Sequence, residues 1–296
     1  VGKQFRLLSG GFLAVLLSAA GSSASFASDP VVSDSDFVDF EQPAPSAIRL
    51  PKEDYRDARA RVLGIQEDDQ TLRENPWDSS SRTGSRPKAD TAEAQAGAFD
   101  QLDYSSVPEM GSYAELYEAF SRARDTRHLK DQSNDPSFLR RPSWMYPDDG
   151  CFARAGVMSQ KLHQWGFVRP KKVFIFGNLR VKTQNHRAGF VTWWYHVVPL
   201  VKADGVAYAL DPAIEPSRPL TLKEWVQRQV SVISSARVSI CHELTYQPYS
   251  SCLNGNPRAD TVSMSDQQSY LRDEWERLIE LERNPEQELG DTPPWL

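Results

Sequence analysis

The residues best suited to chemistry in this chain are a cysteine, a histidine and an aspartate, met in that order. Cys151 sits in Asp149-Gly-Cys-Phe-Ala-Arg-Ala155, where helical spacing of apolar residues begins. His196 closes the aromatic run Trp193-Trp-Tyr-His196, and Asp211 closes Ala207-Tyr-Ala-Leu-Asp211, just before Pro212. A cysteine in the first turn of a helix faces unsatisfied N–H groups and the positive end of the helix dipole, and both favour a thiolate. The same N–H groups can bind an oxyanion, an effect of about 3 kcal/mol per donor. A histidine can carry the thiol's proton to a leaving group. An aspartate can hold the ring's other nitrogen and steady the charged imidazole. Together they suit acyl transfer through a thioester.

Each residue also has an ordinary explanation. A cysteine on an apolar helix face is usually packing, and a histidine ending an aromatic strand is usually a satisfied core residue. Asp-Pro after a strand is a common turn. Singly, those explanations prevail. In this order, in an exported chain whose other cysteines can pair, catalysis is the better reading.

The elements that must position the three residues can be read from periodicity. Lys172–Phe176, Phe190–Val201 and Val206–Leu210 are strand-like, with Gly177-Asn178 and Ala203-Asp-Gly205 as turns, and Arg237–Leu244 is a further strand. Helices are expected over Lys52–Gln66, after the capping-box match Ser112-Tyr-Ala-Glu115, from Cys151 to Gly166, and from Thr221 through Val230. Ser265–Arg283 is a longer amphipathic helix whose Leu271, Trp275, Leu278 and Ile279 share a face. Its carboxylates read as a solvated face, and the chain from Asn284 as frayed. Helices at both ends around consecutive strands give an α+β fold with a central antiparallel sheet and the nucleophile at a helix N-terminus.

Export is read from the N-terminus. Lys3 and Arg6 precede an apolar core, Phe12–Ala20, and Ser25-Phe-Ala27 offers a cleavage site, so residues 1–27 read as a signal peptide. The apolar run is shorter than the roughly 20 residues of a membrane span, and no stable membrane anchoring is expected. A secreted or periplasmic protein follows. In an oxidising compartment Cys241 and Cys252, close in sequence, would pair and leave Cys151 free. Asp29–Pro51 is acidic and proline-dotted and reads as a low-complexity tail. Residues 77–90 are rich in Ser, Arg and Pro and read as a linker, with order resuming near Phe99. The organisation is then 1–27 signal peptide, 28–100 N-terminal region and 101–296 catalytic domain. A net charge of −6 over 296 residues, with no basic stripe, argues against nucleic-acid binding. His186, His196 and His242 lack zinc-site spacing with the cysteines, and there is no phosphate-binding glycine loop, so neither metal nor cofactor is expected.

Four motifs recur in order: Tyr146-Pro-x-Asp149-Gly-Cys151-x-Ala-Arg-Ala155, Phe176-Gly-Asn-Leu179, Trp193-x-Tyr-His196-Val197 and Asp211-Pro212. In these the chain resembles the bacterial secreted protein-glutaminases, over roughly Tyr146 to Trp225. The resemblance implies a transglutaminase-like, papain-related core. It implies Cys151 as nucleophile, His196 as base and acid, and Asp211 as the group that orients His196. The implied reaction is hydrolysis of glutamine side chains in proteins or peptides to glutamate and ammonia. It also implies a proenzyme, with a segment from Asp29 to about Asp100 covering the cleft and processing near Ser79–Lys88. The chain departs from the relatives in having fewer cysteines. Trp144, Tyr146, Trp193, Trp194 and Tyr195 are candidates to wall a glutamine slot, although core packing explains any one of them as well. A monomer is expected. The competing readings are a transglutaminase or a cysteine peptidase on the same core, or a non-catalytic exported effector or binding module. The intact Cys–His–Asp set speaks against the last.

Overall fold

Aromatic and β-branched runs set the centre of the fold. The computed structural model describes residues 44–64, 90–131 and 137–296, all within one compact unit, Asp34–Leu296. The helices are α1 (Tyr55–Leu63), α2 (Tyr113–Asp125), α3 (Cys151–Gln164), α4 (Leu222–Gln227), α5 (Ala259–Glu280) and α6 (Pro285–Leu289). The strands are β1 (Leu129–Lys130), β2 (Leu139–Arg140), β3 (Lys171–Lys182), β4 (Phe190–Ala203), β5 (Val206–Ala209), β6 (Leu220–Thr221) and β7 (Arg237–Cys241). The main sheet has the order β6-β5-β4-β3-β7, and β1 and β2 form a separate short ladder. Every pairing is antiparallel, so the fold is α+β with a central antiparallel sheet. The signal peptide, most of the linker and residues 132–136 lie outside the described residues.

Each residue from Trp193 to Val201 is buried, with no in–out alternation. Two covered faces explain this, because a strand sealed on both sides reads as a continuous apolar run. α3 packs on β4, and α5 packs on α3. Ala47, Tyr55, Ala58, Ala92 and Ala96 join the same core as Phe174, Phe176 and Trp194. The α3–α5 contact needs a glycine: a Cβ on Gly156 would lie 1.9 Å from Ser263 Oγ.

Several sequence expectations change. Gly177-Asn178 is not a turn but a bulge within β3. Phe176 faces Tyr195 and Leu179 faces Trp193, so three steps on β3 match two on β4. The end of the expected acidic tail is not a tail. Ile48 pairs with Trp193, Trp194 N donates to Ala47 O at 3.1 Å and Arg49 N to Thr192 O at 2.9 Å. β5 covers β4 only over Leu200–Ala203, and this segment satisfies part of the remaining edge. Order also begins before Phe99, since Gly97 pairs with Val238 on β7. The chain beyond Asn284 is anchored rather than frayed. Asn284 caps α6 through its side chain, and Arg141 Nη1 donates to Leu289 O at 3.0 Å and Gly290 O at 2.6 Å.

α5 also presents a different face from the one expected. Ile279 is 56% exposed, while Glu274 is buried at 1%. Arg140 Nη2 donates to Glu274 Oε2 at 2.9 Å, and Met145 N donates to Glu274 Oε1 at 2.9 Å. This pair ties α5 to the segment that leads into Cys151. Glu274→Ala should lower unfolding stability by about 3 kcal/mol, because it leaves the buried Arg140 guanidinium with only the longer Asp131 ion pair at 3.5 Å. Urea unfolding followed by tryptophan fluorescence measures the loss. Cys241 and Cys252 are joined, with sulfurs 2.07 Å apart, and Cys151 is the free cysteine.

Candidate active site

Gly150 sets up the nucleophile position. It is the N-cap of α3 at φ 75°, a left-handed conformation that disfavours any side chain. A Cβ there would also stand 2.6 Å from the Tyr270 ring. No side chain caps this helix end, so its first N–H groups are left for other acceptors. Cys151 is the first helical residue and is 2% exposed. Burial pushes its thiol up to about 12, against the opposing pull of the Arg154 charge and the Val197 N–H.

The sheet brings the histidine and the aspartate together. β4 and β5 pair with Leu200 opposite Ala209, and Leu210 N donates to Pro199 O at 3.0 Å, which continues the ladder. Two residues beyond Ala209, Asp211 stands one diagonal step from His196 on the same face, within side-chain reach. His196 Nε2 lies 2.8 Å from Asp211 Oδ2. Burial alone would raise the Asp211 carboxyl. The His196 charge and the hydrogen bonds from His196 and Trp225 hold it below its ordinary value instead. An ionised carboxylate only accepts, so Nε2 donates to it, and in the neutral ring the lone pair then lies on Nδ1. Nδ1 is buried and has no partner among the described residues. Cys151, His196 and Asp211 line one cavity of about 10 Å³ together with Trp144.

Two residues the sequence did not assign complete the arrangement. Trp225 Nε1 donates to Asp211 Oδ2 at 2.8 Å, so that oxygen is held from two sides. Its only sequence signal is a large aromatic on the inner face of a capped helix. Arg154, one turn beyond Cys151, is buried and donates to Tyr146 O at 2.9 Å and Asp149 O at 2.6 Å. It thereby folds the preceding loop over the helix end. It lies within the Cys-x-Ala-Arg-Ala motif, which made it visible but gave it no role. Trp225→Phe keeps an aromatic ring, though a smaller one, and removes the N–H. A hydrogen bond to a charged group contributes about 1.5–3 kcal/mol, so kcat should fall roughly tenfold or more. KM should change little, and steady-state kinetics on a blocked glutamine peptide separates the two.

The five aromatic candidates fall in different places. Trp144 lines the catalytic cavity, and its Nε1 donates to Arg124 O at 3.1 Å. Trp193 stacks on the His196 ring with centroids 4.5 Å apart and donates to Asp148 O at 3.0 Å. Tyr146 stacks on Tyr270 at 6.2 Å. Trp194 Nε1 donates to Ser46 O at 2.7 Å and Tyr195 Oη to Pro45 O at 2.8 Å, so both grip the N-terminal segment. That segment also reaches the helix end: Asp149 Oδ1 accepts from Ala47 N at 3.2 Å and from Gly150 N at 2.8 Å. Among the described residues no cluster of three or more His, Cys, Asp or Glu is placed to hold a metal ion.

A thiol at a bare helix N-terminus, sharing a cavity with a carboxylate-held imidazole, is the equipment of a thiol acyl-transfer enzyme. Residues 116–229 match a family model described as a glutaminase, and this stretch holds Cys151, His196, Asp211 and Trp225. Similar solved structures include a crystal structure of a mutant pro-protein-glutaminase, at 24% identity over 56% of this chain and 62% of that chain, with a TM-score of 0.42. A crystal structure of protein-glutaminase is 25% identical over 54% of this chain and 90% of that one, with a TM-score of 0.41. The NMR structure of protein-glutaminase from Chryseobacterium proteolyticum is 25% identical over 55% and 87% of the two chains, with a TM-score of 0.41. The chain thus spans 62% of the length of the mutant pro-protein. A search of the curated proteins found no match.

Proposed function

We propose that this chain is a protein-glutamine deamidase that works through a thioester on Cys151 and is made in a latent form. The observation that carries the reading is the His196–Asp211 pair: it leaves Nδ1 unpartnered in the cavity of the Cys151 thiol, inside the segment that matches a glutaminase family. In the reaction the thiol passes its proton to His196 Nδ1, and the sulfur attacks the side-chain carboxamide carbon of glutamine. The oxyanion is held by N–H groups at the start of α3. His196 returns the proton to the departing nitrogen, and ammonia leaves as the C–N bond breaks. Water then attacks the thioester while His196 takes its proton. The C–S bond breaks, the sulfur regains a proton, and glutamate is released. Asp211 holds the ring throughout, and Trp225 holds Asp211.

Latency rests on what covers the site. Burial keeps the thiol protonated at neutral pH, and a cavity of about 10 Å³ is barely large enough for one water. Residues 45–49 bond to β4 and to the Asp149 carboxyl beside Cys151. Removing them would uncover the polar tips of Trp194 and Tyr195 next to the site. In this reading the segment from Asp29 to about Asp100 is an inhibitory pro-segment processed near Ser79–Lys88, and residues 1–27 are a signal peptide. The Cys241–Cys252 bridge fits an oxidising compartment, and no helix among the described residues is long and apolar enough to cross a membrane.

The test is to incubate the proteolytically activated chain with casein and with a blocked glutamine peptide. Ammonia should appear in step with conversion of glutamine to glutamate. Peptide-bond cleavage without ammonia would make it a peptidase, and incorporation of an added primary amine would make it a transglutaminase.

A further inference from the structure

Apart from the catalytic cavity the molecule carries a larger one that the proposed chemistry does not use. It measures about 540 Å³, and four cations line it: Arg49, Arg180, Lys182 and Arg228. No carboxylate is among its lining residues. Among the described residues only Arg228 of the four forms an ion pair, with Glu215 at 3.2 Å. Arg180 and Lys182 alternate with Asn178 on the exposed side of the second half of β3, so both reach solvent on one face. The Arg180 guanidinium lies 3.9 Å above the Phe190 ring, an arrangement that fixes its plane and leaves its edge N–H groups for an anion. Arg49 contributes from the N-terminal segment, where it donates to Glu53 O and to Leu179 O. Its Nε is buried without a partner among the described residues.

The position of this cavity gives it meaning. A second cavity of about 170 Å³ shares Lys182 and Ile214 with it, and contains Trp144, Ala213 and Trp295. Trp144 also walls the cavity of Cys151, His196 and Asp211. Basic cavity, aromatic cavity and thiol therefore follow one another across shared walls. A polypeptide whose glutamine enters at Cys151 would run its neighbouring residues past Trp144 toward Arg180 and Lys182. The chain as a whole is acidic, with a net charge of −6, so general attraction does not account for a patch of this sign at the site.

We infer that the cavity of Arg180, Lys182 and Arg228 is a substrate subsite that selects glutamines flanked by acidic residues. The inference rests on the glutaminase reading of Cys151. In the full chain Arg49 adds a fourth cation, and loss of the N-terminal segment leaves three on the catalytic body. Like charges brought here repel, while carboxylates or phosphorylated side chains are drawn in, so specificity is gained from both signs.

Fluorescently labelled blocked peptides with one central glutamine, flanked by Glu, Ser or Lys, provide the test. With the activated chain, kcat/KM for the Glu-flanked peptide should exceed that for the Lys-flanked one by about tenfold at low salt. The difference should vanish near 1 M salt, where charges are screened beyond roughly 3 Å. Arg180→Glu with Lys182→Glu should invert the ratio, and Arg180→Gln with Lys182→Gln should bring it close to one. A ratio taken within each variant is insensitive to a general loss of folded protein. Equal rates for all flanks in the native chain, or a Glu preference that survives the double charge reversal, would overturn the inference. If no peptide releases ammonia, the catalytic reading fails, and fluorescence anisotropy of the same peptides on the full chain decides the subsite alone. Preferential binding of the Glu-flanked peptide, lost in the double variant, supports it, and equal binding of all three overturns it.

Discussion

Cys151→Ala is expected to lower ammonia release from a blocked glutamine peptide by about a millionfold, the scale seen when one member of a catalytic triad is removed. The geometry explains why nothing else can substitute. The other two cysteines are joined to each other, and no other thiol or hydroxyl side chain lines the cavity at His196, where the only further sulfur is the unreactive thioether of Met158. His196→Ala should cost nearly as much, because without Nδ1 the thiol has no base and the leaving nitrogen no acid. The double variant should be scarcely worse than either single one, since residues that act as a unit do not add. Asp211→Asn should cost about ten-thousandfold, because the amide can present its N–H to Nε2, and the ring then settles in the wrong tautomer. Unfolding midpoints for each variant separate lost chemistry from lost fold.

Removal of the N-terminal segment should speed alkylation of Cys151 at neutral pH by about a thousandfold. In the full chain burial pushes the thiol up to about 12, so the thiolate is a minute fraction at pH 7. A raised pKa favours the neutral form, and alkylation should therefore climb about tenfold per pH unit from 7 to 11. Once residues 44–64 are gone, water reaches the helix end and the desolvation that raises the thiol is relieved. The dipole and the imidazole then act unopposed, and the value should return to about 8.5 or below. The rate should accordingly level off at a pH several units lower than in the full chain. Iodoacetamide labelling read by mass, before and after limited proteolysis within 65–89, gives both curves. Identical curves would show that the segment is no cover.

The site was more legible in the sequence than the way it is closed. Cys151, His196 and Asp211 could be named as candidates from their order and local motifs, and the structure brings all three to one cavity. The Cys241–Cys252 pair followed from the expected export and the short separation in sequence. What escaped were interactions between residues far apart in the chain. Trp225 reaches Asp211 across 14 residues, and Ala47 reaches Asp149 across 102. No local pattern encodes such contacts, since only the sheet register brings them together. Composition misled as well. Asp29–Pro51 has the acidity and prolines of a solvated tail, yet residues 45–49 complete a strand edge that needs backbone groups rather than apolar side chains. Glu274 looked solvated because a helix carboxylate usually is. Its partner Arg140 is 134 residues earlier.

The most direct test of the account is to catch the acyl-enzyme. The activated chain is mixed with excess blocked glutamine peptide, quenched in acid within a turnover, and its intact mass and peptide map are read. The account predicts a chain heavier by the peptide less one ammonia, with the adduct on Cys151 and labile to hydroxylamine. Ammonia released in full with no adduct on Cys151, or an adduct on any other residue, would contradict it.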